Sequence, residues 1–237
     1  MVPTGFLDLP YELRRQIYCH CIPRRNQVNV QSPSLFLQGA WYMNPNSSRI
    51  NVLRLSKQIT EECLDILYGE TNFRLRLNGE GEQAMRDNFT EKNRRRMRYL
   101  TVTANPAGVS YGISTPDHSL WSTILPSLKS LLIIAEQPIR AGGYYNAPTL
   151  QQDIDEWLAW ICPYLKYFGQ HIPETLSVTV DDDGRKETRE LAQKYLTPTC
   201  RLQRSALGDF VFKRGRFSIE SGYWDDDYDE PRSSRDV

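Results

Sequence analysis

The sequence predicts an α/β (or α+β) protein, and three observations lead to this prediction. Apolar residues make up 40% of the 237-residue chain and aromatic residues 11%, enough for a substantial core. Segments with helical and strand periodicity alternate after residue 70. Three strand-like segments also begin alike, at residues 97–102, 128–133 and 173–178. Because alternating strands and helices form right-handed crossovers, we expect a parallel sheet.

The first predicted element is a helix that begins near residue 9. Asp8 is a candidate cap, and Pro10 suits the first turn, where a missing N–H costs nothing. Leu9, Leu13 and Ile17 recur every four residues and form one apolar stripe. We expect this stripe to be buried, either by its own domain or by a partner.

The second helix is predicted within residues 53–69. Gly69 is placed to end it with a positive φ angle, and Tyr68 and Phe73 are expected to anchor the helices to the first strand of the sheet. Between the two helices, residues 24–49 are rich in Asn, Gln, Ser and Pro, with apolar residues interspersed. We expect short strands or a hairpin-like excursion there, since long structureless loops are uncommon in compact domains.

The rest of the chain is predicted to alternate strands and helices. The predicted strands are residues 73–77, 97–102, 128–135, 175–180 and 209–213, and the predicted helices are residues 81–96, 117–125, 150–170 and 185–195. The three similar strand beginnings resemble the strands of leucine-rich repeats, although their spacing is irregular and longer than the usual ~20–29 residues. We therefore expect an irregular leucine-rich-repeat-like βαβ layer, whose open sheet offers a binding face.

Two motifs in the first third of the chain carry a family resemblance. Residues 9–18 read LPxELRxxIY and residues 58–73 read QIxxExxxxLYGxxxF. Together they resemble fungal F-box-like proteins of uncharacterised function. The resemblance implies a non-enzymatic interaction module, and at its strongest a substrate receptor that binds the Skp adaptor of a cullin–RING ubiquitin ligase. The implied partner-binding residues are Leu9, Pro10, Leu13, Arg15 and Ile17.

The inserted residues 24–49 depart from the compact three-helix arrangement of an F-box, so a purely structural module stays an alternative. We predict three regions: an F-box-like helical module with this insertion (residues 1–70), an α/β layer (71–222) and an acidic, mobile tail (223–237).

Composition narrows the classes of function. Lys and Arg together number 29, as do Asp and Glu, which argues against wholesale binding to nucleic acid or membranes. The N-terminus lacks the pattern of a secretory signal, and the five cysteines are irregularly spaced. We expect an intracellular protein, cytoplasmic or nuclear, without a disulfide framework.

One dense basic run supports an alternative function. It comprises Lys92, Arg94, Arg95, Arg96 and Arg98. These residues are candidates for contacts with an anionic partner, as in a nucleic-acid- or chromatin-associated factor. Alternatively, they complement a helix C-terminus or pair with acidic neighbours.

No catalytic, cofactor or metal site is predicted. Familiar nucleotide-binding and hydrolase motifs are absent from the sequence. Cys19 and Cys21 lack a second ligand cluster, so packing as small apolar residues is the expected role. Residues 179–190 partly match a calcium loop but begin with Thr179, and we expect a strand-to-helix turn in which an Asp caps the next helix. The aromatic segment around Trp157 and Trp160 is expected to pack in the core rather than stack on a ligand.

Overall fold

The described residues are organised around a six-stranded parallel sheet. A computed structural model describes residues 5–22, 27–30, 48–77, 79–104, 115–138, 149–196 and 200–203. The strands are β1 (Gln27–Val30), β2 (Asn72–Arg76), β3 (Tyr99–Ala104), β4 (Ser130–Ala135), β5 (Ser177–Asp181) and β6 (Arg201–Gln203). They lie side by side in chain order, and each pairs in parallel with the next. The predicted α/β class is confirmed.

Seven α-helices fall within the described residues. They are α1 (Tyr11–Cys21), α2 (Lys57–Glu70), α3 (Gly79–Asn88), α4 (Glu91–Arg94), α5 (His118–Ile124), α6 (Leu150–His171) and α7 (Lys186–Tyr195). Short 3-10 helices occupy Phe6–Asp8, Ser48–Arg54 and Leu125–Ser127. In the described part of the chain no helix has the combination of length and apolar character that crossing a bilayer needs.

The main core lies against one face of the sheet. Alternate residues of the strands, such as Phe73, Leu100 and Val178, are buried together with side chains from α3, α5, α6 and α7. Trp157 is fully buried and Trp160 nearly so, which confirms that the aromatic helix packs in the core. The intervening strand residues form a largely polar second face, where Asn72 and Thr101 exchange side-chain hydrogen bonds across β2 and β3.

The predicted elements and the observed ones differ in three places. The charged helix predicted over residues 81–96 is broken at Phe89, which is buried, and Thr90 caps the short α4 through a bond from the Asn93 N–H. A short strand was predicted between the first two helices, and β1 lies there, but it pairs with β2 and so belongs to the sheet instead of the helical module. The strand predicted at residues 209–213 lies outside the described residues, while β6 was not predicted.

The two N-terminal helices form a smaller second core. Tyr18, Ile22, Ile59, Cys63, Ile66 and Leu67 are its buried members, and Tyr68 packs against both this core and the main one. The Tyr68 ring stacks on Phe73, with centroids 5.6 Å apart, and meets Phe89 edge to face. The predicted anchoring role of Tyr68 and Phe73 is therefore confirmed.

Gly69 does not end α2, contrary to prediction. The helix continues to Glu70, and the extended residue Thr71 follows it. Among the described glycines only Gly184 has a positive φ angle. Because the strand β2 begins directly at Asn72, the chain leaves the helix in an extended conformation, without a left-handed turn.

Candidate protein-binding surface on the first helix

The chain enters α1 through a tight 3-10 turn. The Asp8 carboxylate accepts a hydrogen bond from the Gly5 N–H at 2.7 Å. Asp8 therefore closes the turn that precedes α1, and the prediction that it caps α1 is wrong. Pro10 itself is the N-cap of α1, and its carbonyl accepts from the N–H groups of Leu13 and Arg14.

The inward face of α1 is built on an ion pair. Arg14, only 8% exposed, forms a two-point contact with Glu62 on α2: Nε donates to Oε2 at 3.0 Å and Nη2 to Oε1 at 2.6 Å. The Tyr18 hydroxyl, one helical turn further on, also donates to Glu62 Oε2, at 2.8 Å. Two-point contacts between guanidinium and carboxylate fix relative orientation, so they set the angle between α1 and α2.

The same arginine holds the segment before α1. Arg14 Nη1 donates to the backbone carbonyls of Leu7 and Leu9. One side chain therefore connects the 3-10 turn, α1 and α2. The R-x-x-x-Y spacing puts Arg14 and Tyr18 on one helical face. It does not indicate that Glu62 is their shared partner, so this network was not predicted.

This contact shifts the ionisation of its members. Hydrogen bonding from Arg14, with smaller contributions from Gln58 and Tyr18, lowers the pKa of Glu62 from 4.5 to about 2, against the opposing effect of burial. Burial, reinforced by the bond to Glu62, raises the pKa of Tyr18 to about 12. At neutral pH the network consists of a carboxylate, a guanidinium and a neutral phenol.

The outward face of α1 is apolar and exposed. Leu13 is 45% exposed and Ile17 is 42% exposed, one helical turn apart. The expectation that the stripe is buried by its own domain is therefore wrong, because Arg14 and Tyr18 occupy the inward face in its place. Of the eight large apolar side chains that are exposed among the described residues, five belong to this segment: Phe6, Leu7, Tyr11, Leu13 and Ile17. We call these five residues the first-helix face.

The other predicted partner-binding residues lie around this face. Leu9 is half-buried and Pro10 is exposed. Arg15 forms an ion pair with Glu70 at 2.8 Å and lines a cavity between α1, α2 and the sheet. Arg15 therefore points away from the Leu13–Ile17 stripe toward the end of α2.

The basic run is largely engaged by the chain itself. Lys92 and Arg96 both pair with Glu61, and Arg96 also pairs with Asp65 at 2.6 Å. Arg94 donates to the Phe89 carbonyl and to Thr123 Oγ1, while Arg95 pairs with Glu91. Arg98 donates to three backbone carbonyls. These contacts match the alternative in which the cations pair with acidic neighbours and carbonyls.

The candidate metal residues are dispersed or otherwise engaged. Cys19 and Cys21 pack against the second core. In the loop after β5, Asp182 accepts from the Gly184 N–H at 2.7 Å and from Arg189 Nε at 2.7 Å, while Arg185 is the N-cap of α7. The turn is present as predicted, but no Asp side chain caps α7. Across the described ranges no group of three or more His, Cys, Asp or Glu residues is arranged to hold a metal ion.

Glu82 is a buried carboxyl group with a raised pKa, a combination that also occurs in catalytic acids. It is 3% exposed, and burial raises its pKa. Its Oε1 accepts from Trp121 Nε1 at 2.6 Å and from the Asp117 N–H at 3.3 Å. These bonds tie α3 to the start of α5, and Glu82 does not line the cavity beside α1. Its environment is that of a structural link between helices.

Comparisons with models of known protein families, with curated proteins and with solved structures found no match.

Proposed function

We propose that this chain is a non-enzymatic interaction protein that binds another protein through the first-helix face. The observation that carries the proposal is the exposure of Leu13 and Ile17 on a helix whose other face is fastened by Arg14. Fully burying an aliphatic side chain contributes ~1.5–3 kcal/mol, so covering these two half-exposed residues favours association. Clusters of exposed apolar side chains on soluble proteins mark interaction sites.

The leading partner is the Skp adaptor of a cullin–RING ubiquitin ligase, with this chain as an F-box-type substrate receptor. The support is the resemblance of residues 9–18 and 58–73 to F-box-like proteins. Two residues of those motifs, Tyr18 and Glu62, hydrogen-bond each other and hold α1 against α2. The motif residues thus keep the first-helix face in place for a partner.

The alternative is a nucleic-acid- or chromatin-associated factor that uses the basic run. Lys92, Arg95 and Arg96 already have carboxylate partners in the chain, so contact with phosphates would have to replace those ion pairs. Under this alternative, alanine at Arg95 weakens binding to DNA or RNA and flattens its salt dependence. Under the first proposal, that variant keeps its protein partner.

The decisive experiment measures binding of the purified chain to a purified Skp adaptor by calorimetry. Leu13→Glu and Ile17→Glu should each weaken binding by at least about a hundredfold, because a carboxylate would be buried in the interface. Leu150→Glu is the matched control: Leu150 is 36% exposed, at the start of α6. Its replacement should leave affinity unchanged.

The variants should keep the fold, since Leu13 and Ile17 are exposed in the isolated chain. Circular dichroism checks this point. If the adaptor does not bind the intact chain, the proposed partner is wrong. If partners captured from the native cell are retained by both α1 variants but lost from the Arg95 variant, the alternative replaces the first proposal.

A further inference from the structure

A cavity lies beside α1, separate from the Leu13–Ile17 stripe. Its volume is about 730 Å³, and Tyr11 and Arg15 from α1, Gly69 at the end of α2, and Arg98, Tyr99 and Lys129 at the start of β3 and β4 line it. The size falls within the ~300–1,000 Å³ typical of ligand sites. It can accept one or two side chains of a bound segment.

The charges of this cavity are not balanced within it. Its lining carries three cations, Arg15, Arg98 and Lys129, and two carboxylates, Asp65 and Glu70. Glu70 is paired with Arg15 at 2.8 Å, and Asp65 with Arg96 at 2.6 Å. Arg98 and Lys129 are therefore the cations that the carboxylates of the lining do not neutralise.

The backbones of these two cationic residues are adjacent, and both side chains line the cavity. The Lys129 N–H donates to the Arg98 carbonyl at 2.8 Å, so the two residues are neighbours just before β3 and β4. Arg98 Nη1 donates to the carbonyls of Arg95, Met97 and Ser127, which fixes the guanidinium in place. Like charges that line one cavity repel each other, and an anion bound there reduces that repulsion.

Two tyrosines and a glycine also line the cavity. Tyr11 is 41% exposed and Tyr99 is 38% exposed, and rings of this kind give contact area at little cost in conformational entropy. Gly69 leaves space beside Arg98: a Cβ added at Gly69 would be 3.9 Å from Arg98 Cγ, an ordinary contact. Outside its own helix, a Cβ at Gly69 meets no atom within 4 Å other than Arg98 Cγ, so we expect a larger side chain to extend into the cavity.

We propose that this cavity binds an acidic peptide segment of a second protein, with a carboxylate between Arg98 and Lys129 and its neighbours against Tyr11 and Tyr99. The proposal is independent of adaptor binding, which uses Leu13 and Ile17. Tyr11 of the first-helix face also lines the cavity. The chain can therefore hold two proteins at once when the adaptor covers the Leu13–Ile17 stripe and Tyr11 contacts the peptide.

The test measures fluorescence anisotropy of a labelled short peptide with three adjacent glutamates, added to the full chain at low salt. Saturable binding is expected, and a peptide with glutamines in their place should bind at least about tenfold more weakly. Lys129→Glu should weaken glutamate-peptide binding about tenfold. Lys166→Glu, an exposed lysine on α6, is the charge-matched control and should have a much smaller effect.

A second variant tests the cavity by volume instead of charge. Gly69→Leu should abolish peptide binding while the melting temperature stays close to that of the parent chain. Leu13→Glu should leave peptide affinity unchanged, so failure of adaptor binding and failure of this proposal are distinguishable. Equal binding of both peptides, equal effects of Lys129→Glu and Lys166→Glu, or unchanged binding to Gly69→Leu would each overturn the proposal.

Discussion

Arg14 and Glu62 are the residues on which the geometry of the N-terminal helices depends. The pair is shielded, with 10% and 15% of the side chains exposed, and Glu62 also accepts from Tyr18. A carboxylate whose pKa is lowered in the folded state stabilises the fold above its unfolded pKa, and that contribution is lost as pH falls through the folded value. For Glu62 this stabilisation is lost as the pH falls from 4.5 to about 2.

We therefore predict that Glu62→Gln is destabilised at neutral pH by about 3 kcal/mol, because Arg14 loses its charged partner. The difference from the parent chain should shrink as pH is lowered from 4.5 to 2. Urea titrations at several pH values measure it. Glu190→Gln is the control, since Glu190 forms an exposed pair with Lys186 at 3.7 Å, worth at most ~1 kcal/mol. If the difference in unfolding free energy between Glu62→Gln and the parent chain does not change with pH, this account is wrong.

At the scale of elements, helix positions and a parallel sheet could be predicted, but the orientation of α1 could not. Periodicity locates α1, α2 and α6, because amphipathic spacing is a local property. The inward face of α1 depends on Glu62, 48 residues away from Arg14. From the local sequence, an apolar stripe of leucine and isoleucine predicts the buried face of α1. The position of α2 decides otherwise, because Glu62 binds Arg14 and Tyr18 and so turns their face inward.

The same limit applies to the cavity. Arg98 and Lys129 immediately precede different strands, β3 and β4, and Tyr11 comes from α1. Their proximity follows from the register of β3 and β4 and from the angle of α1. Neither can be predicted from a local sequence pattern. The basic run was recognisable as a sequence feature, but its carboxylate partners on α2, Glu61 and Asp65, were not.

Replacement by alanine is expected to have opposite effects on stability at two glycines that lie in helices. Gly169 lies in α6 where the end of α7 crosses it, and an added Cβ would be 1.8 Å from the Tyr195 carbonyl oxygen. Gly169→Ala must push α7 away and should cost ~1–3 kcal/mol or more. Gly69→Ala meets only ordinary contact and should stabilise α2 by up to ~1 kcal/mol, since alanine favours helix. Thermal unfolding of both variants checks the pair, and a shared direction of change would contradict it.

At the scale of the whole molecule, two cores meet at Tyr68. Tyr68 packs against both, and ion pairs from Arg96 to Glu61 and Asp65 reinforce the link between α2 and the start of β3. Stability shared across such a junction makes the parts unfold together, whereas a weakened junction lets the smaller part open first. Within the described residues the small core has six buried members, including Ile59 and Cys63, far fewer than the large core, so it depends more on the junction.

Tyr68→Ala should therefore uncouple the two cores. The variant loses the ring that stacks on Phe73 and meets Phe89, at a cost of ~2–4 kcal/mol. In hydrogen exchange followed by mass spectrometry, peptides from α1 and α2 should lose protection well before those from β3 and β4, whereas in the parent chain both groups should exchange in one cooperative step. Tyr99→Ala removes an exposed ring and should keep the single step. Equal loss of protection in both groups of the Tyr68 variant would mean that the cores are coupled elsewhere.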